Sequence, residues 1–268
     1  MNFKQIAPPA YLQPYIRCYW VLESRDKPVS EFRTIADGCP GLIFQHSDKG
    51  LMFQENKQLP HVFLFGQATH HATIRMEGSF AATGIFFRPN ALQSVFGMKA
   101  DDLTNTCIDL QPEAKKQGFY LDEQLAAAAE GERLNILSEY LLTLVRKQQG
   151  RDDPQMQYAL ARMVESSGMI AMKILRDEVN LTERSFERRF KQYIGMPPGL
   201  FARICRFQNS LQQLRNNDFE KLSDIAFDND YADQSHFIRA FKEFAGCSPK
   251  QYQQQAALLM DNLAPLKR

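Results

Sequence analysis

A chain of 268 residues, 44% of them apolar, can fill two hydrophobic cores, because compact domains commonly hold on the order of 100–150 residues. Apolar runs such as VFLF and GIFF fall far short of the roughly 20 residues a membrane-spanning helix needs, and the start, MNFKQIAPPAYLQPY, shows no basic segment followed by an apolar one, so a cytoplasmic chain without membrane contact is expected. The net charge of +1 excludes a uniformly basic polymer-binding chain: residues 1–150 carry 15 Lys and Arg against 16 Asp and Glu, and residues 151–268 carry 17 against 15.

The first hundred residues fall into short β-rich phrases: YIRCYWVLES, EFRTIADGCPGLIFQ, GLMFQ, HVFLFG, HATIRM and SFAATGIFFR. Their β-branched and aromatic enrichment, punctuated by DG, KG and EG, predicts an antiparallel sandwich or barrel. The five cysteines, Cys18, Cys39, Cys107, Cys205 and Cys247, are scattered and never in a C-x-x-C arrangement, which argues against a disulfide framework or a zinc clip. Of His46, His61, His70 and His71, the adjacent pair would point to opposite faces of an extended chain, and no H-x-H with a downstream Glu and His appears. No metal and no cofactor are expected.

From RPNALQSVFGM onward the pattern turns helical, and EQLAAAAEGERLNILSEYLLTLVRKQQ sets Leu134, Leu137, Leu141, Leu144 and Val145 at helical spacing. That stripe predicts one or two amphipathic helices and a surface for a homodimer. The polar QQGRDDPQ, Gln148 to Gln155, then marks a domain boundary, giving domains 1–150 and 151–268. Beyond it the chain reads as all α.

Two stretches of the second half, FERRFKQYIGMPPGLF from Phe186 and FIRAFKEFAGCSPKQY from Phe237, repeat one skeleton at an offset of 51 residues. At that offset Ile174 falls on Ile225, Thr182 on Asp233, Phe190 on Phe241, Lys191 on Lys242, Gly195 on Gly246 and Pro198 on Pro249. Two copies are too few to stack as a solenoid. Each copy reads as a helix, a tight turn at Asn180 or at Asn229 and Asp230, an N-cap (Thr182 or Asp233), and a second helix whose Phe pair at i, i+4 faces the core. This is a helix-turn-helix, written twice.

The opposite faces then carry Arg184, Glu187 and Arg188 in the first copy and Gln234, Ser235, Ile238 and Arg239 in the second. Arg can donate two bonds to guanine, Gln can bond adenine, and apolar groups can touch a thymine methyl, which is the chemistry of major-groove reading. Seven basic residues stand between Arg184 and Arg215 against the single acid Glu187, a local footprint for a polyanion. Arg184, Glu187, Arg188, Gln234, Ser235 and Arg239 are therefore expected at the bases of double-stranded DNA. Arg189, Lys191, Arg203, Arg206 and Lys242, with the helix N-termini, are expected at phosphates. Between the copies, the apolar stripe of Leu200, Phe201, Ile204, Phe207, Leu211 and Leu214 predicts a rigid helical spacer able to present both helices to successive grooves.

IAFDNDYADQSHFIRAFKEFAGCSPKQY closely resembles the signature of the AraC/XylS family of bacterial transcription regulators, and the first copy resembles that family's first helix-turn-helix, the likeness covering about 154–255. The resemblance implies a seven-helix DNA-binding domain, recognition helices at Thr182 to Tyr193 and Asp233 to Phe244, and activation through contact with RNA polymerase. Departures from the pattern are Arg176 where a small residue is usual, and Asn180 and Asp230 where Gly is usual. The acids Asp224, Asp228, Asp230 and Asp233 around the second turn leave most of the phosphate attraction to the first copy.

The N-terminal half, through LQPYIRCYW, ADGCPGLIF, FLFGQ and GIFFRPNAL, resembles the effector domains that precede such modules, a cupin-like β-barrel followed by dimerisation helices. The expected fold is thus α+β: an N-terminal cupin-like antiparallel β-barrel with flanking helices, and a C-terminal all-α domain of two helix-turn-helix motifs. A small-molecule effector pocket is expected inside the barrel, with Trp20, Phe44, Phe65 and Phe86 as apolar walls and Arg33, His46 or Arg88 as a polar anchor. Two rival readings stand beside this regulator: an enzyme doing metal chemistry in the barrel, and a regulator whose barrel only dimerises.

Overall fold

The computed structural model describes residues 2–24, 29–46, 50–150 and 153–255. Among the described residues ten strands form in the N-terminal half: β1 (Asn2–Ile6), β2 (Ile16–Ser24), β3 (Val29–Thr34), β4 (Gly41–Gln45), β5 (Leu51–Gln54), β6 (Lys57–Gln58), β7 (Val62–Phe65), β8 (Ala72–Glu77), β9 (Phe80–Phe87) and β10 (Cys107–Asp109). They pair antiparallel in two sheets, of order β1-β2-β9-β4-β7-β10 and β3-β8-β5-β6. Among the described residues no ladder joins one sheet to the other.

Period-two alternation explains why the central strands are apolar throughout. In β2 the side chains of Cys18, Trp20 and Leu22 enter a core between the sheets with Met52, Phe63, Met76 and Phe86. Tyr19, one residue out of phase, enters a second core on the other face of the larger sheet. That face is covered by α1 (Ala91–Ser94), α2 (Gln111–Lys115), α3 (Leu121–Ala127) and α4 (Glu130–Gln148). The leucine stripe of α4 is consumed here: Leu137, Leu141, Leu144 and Val145 are buried against the chain's own sheet, and Leu134 packs at its margin. It therefore offers no dimer seam, contrary to the expectation from its spacing. Of the expected boundary, Arg151 and Asp152 lie outside the described residues.

Among the described residues seven helices follow: α5 (Pro154–Glu165), α6 (Met172–Glu178), α7 (Glu183–Ile194), α8 (Pro198–Asn216), α9 (Leu222–Asp228), α10 (Gln234–Ala245) and α11 (Pro249–Gln255). Their core is built on Phe186, Phe190, Phe201, Phe207, Phe237, Phe241 and Phe244. It also contains Ile35 and Ala36, from the connector between β3 and β4. The backbone of this connector is tied on both sides: Ala36 N–H donates to the Phe244 carbonyl (3.1 Å), and Gln208 Nε2 donates to the Ala36 carbonyl (2.6 Å). The sheet half thus inserts a short plug into the helical half.

Candidate nucleic-acid interface

The two helix-turn-helix units, α6–α7 and α9–α10, share their construction atom for atom at several points. Asn180 and Asp230 take the left-handed conformation (φ 53° and 56°), closing turns in which Leu181 N–H reaches the Arg176 carbonyl (3.1 Å) and Tyr231 N–H reaches the Ala226 carbonyl (2.9 Å). Thr182 Oγ1 accepts from Ser185 N–H (3.4 Å), and Asp233 Oδ1 accepts from His236 N–H (2.6 Å), so each second helix starts on a side-chain cap. The Phe186/Phe190 and Phe237/Phe241 ring centroids lie 5.7 and 5.8 Å apart, both pairs fully buried. Gly195 and Gly246 (φ 93° and 71°) stop the helices in the left-handed region, which a side chain would strain. α7 and α10 have 12 residues each, and each begins one residue after the expected start, with Thr182 and Asp233 as caps.

The offset of 51 holds for α7 and α10 but not for the helices before them. Leu175 and Ile225 are the equivalent buried residues, whereas Ile174, which the constant offset places on Ile225, is exposed. The second turn is one residue longer, with Ala232 the extra residue. In this register Arg176 takes the place of Ala226, and it is accommodated because its guanidinium turns outward to pair with Glu183.

All six residues expected at bases lie on the surface: Arg184, Glu187 and Arg188 on α7, and Gln234, Ser235 and Arg239 on α10. Ile238 is half-buried and packs against the helical core. The five expected at phosphates divide. Lys191 and Lys242 are exposed at equivalent positions. Arg189 instead donates to both carboxylate oxygens of Asp153 (2.7 Å each) and to Gln155 Oε1 (2.6 Å), tying α7 to the start of α5. Arg203 pairs with Glu243 and lies over the Phe244 ring (5.2 Å to the centroid). Arg206 reaches the Asp230 carbonyl (3.3 Å) and carboxylate (3.6 Å).

Arg215 contacts the Tyr252 hydroxyl. The basic cluster read from the sequence therefore splits: Arg189, Arg203, Arg206 and Arg215 brace the tertiary structure, and Arg184, Arg188 and Lys191 stand out on one helix. Partners 24 to 40 residues away in sequence carry all four of these bracing contacts, which is why local spacing did not mark them. α8 spans 19 residues, a spacer of roughly 28 Å at 1.5 Å per residue.

In the sheet half a cavity of about 110 Å³ opens between the sheets, lined by Trp20, Phe65 and Phe86 as expected, and by Phe63, Met52 and Ile74 among others. The other four expected pocket residues do not line it. Phe44 belongs to the core beneath the helices, with the Arg133 guanidinium over its ring, and His46 packs against Phe44 (centroids 4.7 Å apart). Arg33 donates to the Gly246 carbonyl (3.1 Å), and Arg88 Nε donates to the Gln13 carbonyl (2.8 Å), fixing the corner after β9. Asp37, which the sequence reading passed over, lines the cavity and meets Arg17 (3.4 Å); burial pushes its carboxyl up to about 6 against the pull of that guanidinium. Among the described residues no three His, Cys, Asp or Glu side chains converge as metal ligands would, and no helix is long and apolar enough to cross a membrane.

Comparison with known proteins adds two family matches. Residues 4–109 match a domain of unknown function (DUF6597), and residues 175–255 match a helix-turn-helix domain. An uncharacterized HTH-type transcriptional regulator of Haemophilus influenzae is 32% identical over 84 residues, 31% of this chain and 28% of that protein. The HTH-type transcriptional activator RhaS of Citrobacter koseri is 26% identical over 125 residues, 44% of this chain and 45% of that protein. The chain thus spans less than half the length of these relatives. Among solved structures, ToxT of Vibrio cholerae superposes with a TM-score of 0.46 at 11% identity, covering 93% of this chain and 96% of that one. The AraC-like activator CuxR gives a TM-score of 0.28 at 11% identity, covering 79% and 87%. The chain is thus similar to HTH-type transcriptional regulators, with residues 175–255, which span α7 and α10, matching a helix-turn-helix domain.

Proposed function

We propose that this protein is a sequence-specific regulator of transcription that binds double-stranded DNA through α7 and α10, responds to a small molecule held between its sheets, and is not an enzyme. The observation that carries the reading is the exposure of equivalent polar faces on two helices whose opposite faces are locked by matching Phe pairs and caps. Arg184, Glu187, Arg188, Gln234, Ser235 and Arg239 read bases, and Lys191, Lys242 and the capped helix N-termini hold phosphates. Arg203 and Arg206 join them by exchanging partially exposed ion pairs worth at most about 1 kcal/mol each for phosphate contacts. Arg189 acts instead as a brace.

In this reading residues 1–150 are a cupin-like sensing unit, residues 151–268 the DNA-binding unit, and the location is cytoplasmic. Contact with RNA polymerase makes it an activator. A homodimer would need a surface other than the α4 stripe, and sedimentation at micromolar concentration decides it. The direct experiment is selection of duplexes from a random pool by the full chain. An enriched motif with two half-elements about one helical turn apart is expected. Retention with no enriched motif, or none at all, would sink the reading.

A further inference from the structure

The cavity wall and the grip on the two recognition helices are made by neighbouring residues of the same three segments. Thr34, Ile35 and Asp37 line the cavity, while Arg33 and Ala36 bond the end of α10 at Gly246 and Phe244. His70 lines the cavity, while the ring of His71 lies against Gly246, where a Cβ would collide with it. Gly66 and Ala68 line it, while Gln67 lies against Gly195, its Oε1 2.7 Å from where a Cβ would stand. Asn105 and Thr106 line it, while Thr104 Oγ1 donates to the Gly195 carbonyl (2.6 Å). The equivalent stop glycines of both modules are thus held by residues adjacent to the wall, as expected when extended chain sends successive side chains to opposite sides.

The lining also specifies a ligand. Its walls are mainly aromatic and aliphatic, and its size compares with an apolar cavity of about 150 Å³ that holds benzene. The carboxylate of Asp37 is already matched by Arg17 and by the Cys39 N–H (3.0 Å), so a charged guest finds no free counter-charge there. Trp20, which lines the cavity, has a buried indole N–H without a hydrogen-bond partner, a donor that an acceptor on a guest would satisfy.

We propose that the cavity binds a compact, uncharged, single-ring-sized molecule bearing a hydrogen-bond acceptor, and that its occupancy is transmitted to both recognition helices through the grips on Gly195 and Gly246. This deepens the regulator reading and rests on it only for its consequence at DNA.

Trp20 is the sole tryptophan, so its fluorescence lifetime in the full chain reports on the cavity. Acetophenone should give a saturable change, ethylbenzene the same change about tenfold more weakly for want of an acceptor, and benzoate none. Ile74→Phe, which fills the space, should abolish the response. Equal binding of ethylbenzene, preference for benzoate, or no saturable response to acetophenone overturns the ligand class. Amide hydrogen exchange then tests the transmission: saturating acetophenone should change exchange in the last turns of both α7 and α10.

In the Thr104→Val/Arg33→Ala chain, acetophenone should still bind while that change is lost. Each single substitution and His71→Ala are measured in parallel, so misfolding of the double variant does not hide the answer. Exchange unaltered in the wild type, or fully retained in folded variants, overturns the route. Neither readout contains DNA, so a failed duplex selection leaves them intact, and their failure leaves the DNA-binding reading intact.

Discussion

The two helix-turn-helix modules are one scaffold with two surfaces. Phe pair, N-cap, left-handed turn and stop glycine recur with nearly the same geometry. The outward side chains do not recur: the α6–α7 module exposes Arg184, Arg188 and Lys191 beside the acids Asp177, Glu178, Glu183 and Glu187, whereas the α9–α10 module exposes Gln234, Ser235, Arg239 and Lys242 beside Asp228, Asp230, Asp233 and Glu243. The modules are also braced differently, the first to α5 through Arg189 and the second to α8 through Arg203 and Arg206. What folds a module is common to the two copies, and what each presents to solvent is not. In the proposed reading both modules contact bases, and the first, with three exposed cations on α7 against two on α10, contributes the larger share of the attraction to the polyanion.

The strongest assault on that comparison is on the shared scaffold. Phe190→Ala and Phe241→Ala each remove a fully buried ring and should cost about 3–5 kcal/mol in urea denaturation, by similar amounts; a twofold disparity would show the modules are not energetically equivalent. The next is on the surfaces. Arg188→Ala should lower affinity for the selected duplex by about 1–3 kcal/mol and blur one half-element. Arg239→Ala should blur the other, and Lys191→Ala should weaken all sequences alike and reduce the salt dependence more than Lys242→Ala does. Identical salt slopes for the two lysine variants would remove the asymmetry.

Smaller effects refine the picture. The Asp233 cap bond (2.6 Å) is shorter and charge-assisted beside that of Thr182 (3.4 Å). Asp233→Ala should therefore cost more than Thr182→Ala, within the range of about 0.5–2 kcal/mol typical of caps. The connector touches α10 but not α7 through backbone bonds, so a titration within it should be felt at α10 first. The folded carboxyl of Asp37 is held at about 6, above its unfolded value, so the stability it contributes is complete at low pH and lost as pH rises through that window. Lowering pH from 7 to 5 should raise stability by about 1 kcal/mol from this group, and Asp37→Asn should flatten that part of the profile.

What the sequence made legible was local. Caps, Phe spacing, stop glycines and the exposed faces of α7 and α10 depend on residues within one or two turns of each other, so periodicity and turn chemistry reach them. The cavity walls of Trp20, Phe65 and Phe86 were reachable because alternation puts them on the inner face. Residue type placed Arg33, Phe44, His46 and Arg88 at that cavity, but type does not say which side of a two-faced sheet Arg33 and Phe44 occupy, nor where the chain turns at His46 and Arg88, each one residue past the end of a strand. Arg189, expected at a phosphate, is held by Asp153, which arrives from another helix and so lies beyond the reach of local spacing. The slip at Ile174 came from holding one offset across a turn that had gained a residue.

The plug formed by Ile35 and Ala36 has a consequence for taking the molecule apart. Severed after residue 150, the helical portion would retain the exposed faces of α7 and α10 yet bare an oily slot beside Phe201 and Phe244 and leave the Gln208 amide without its acceptor. Swapping either portion for its counterpart from a distant relative meets the same fault, since a graft inherits the socket without the stopper cut to fit it.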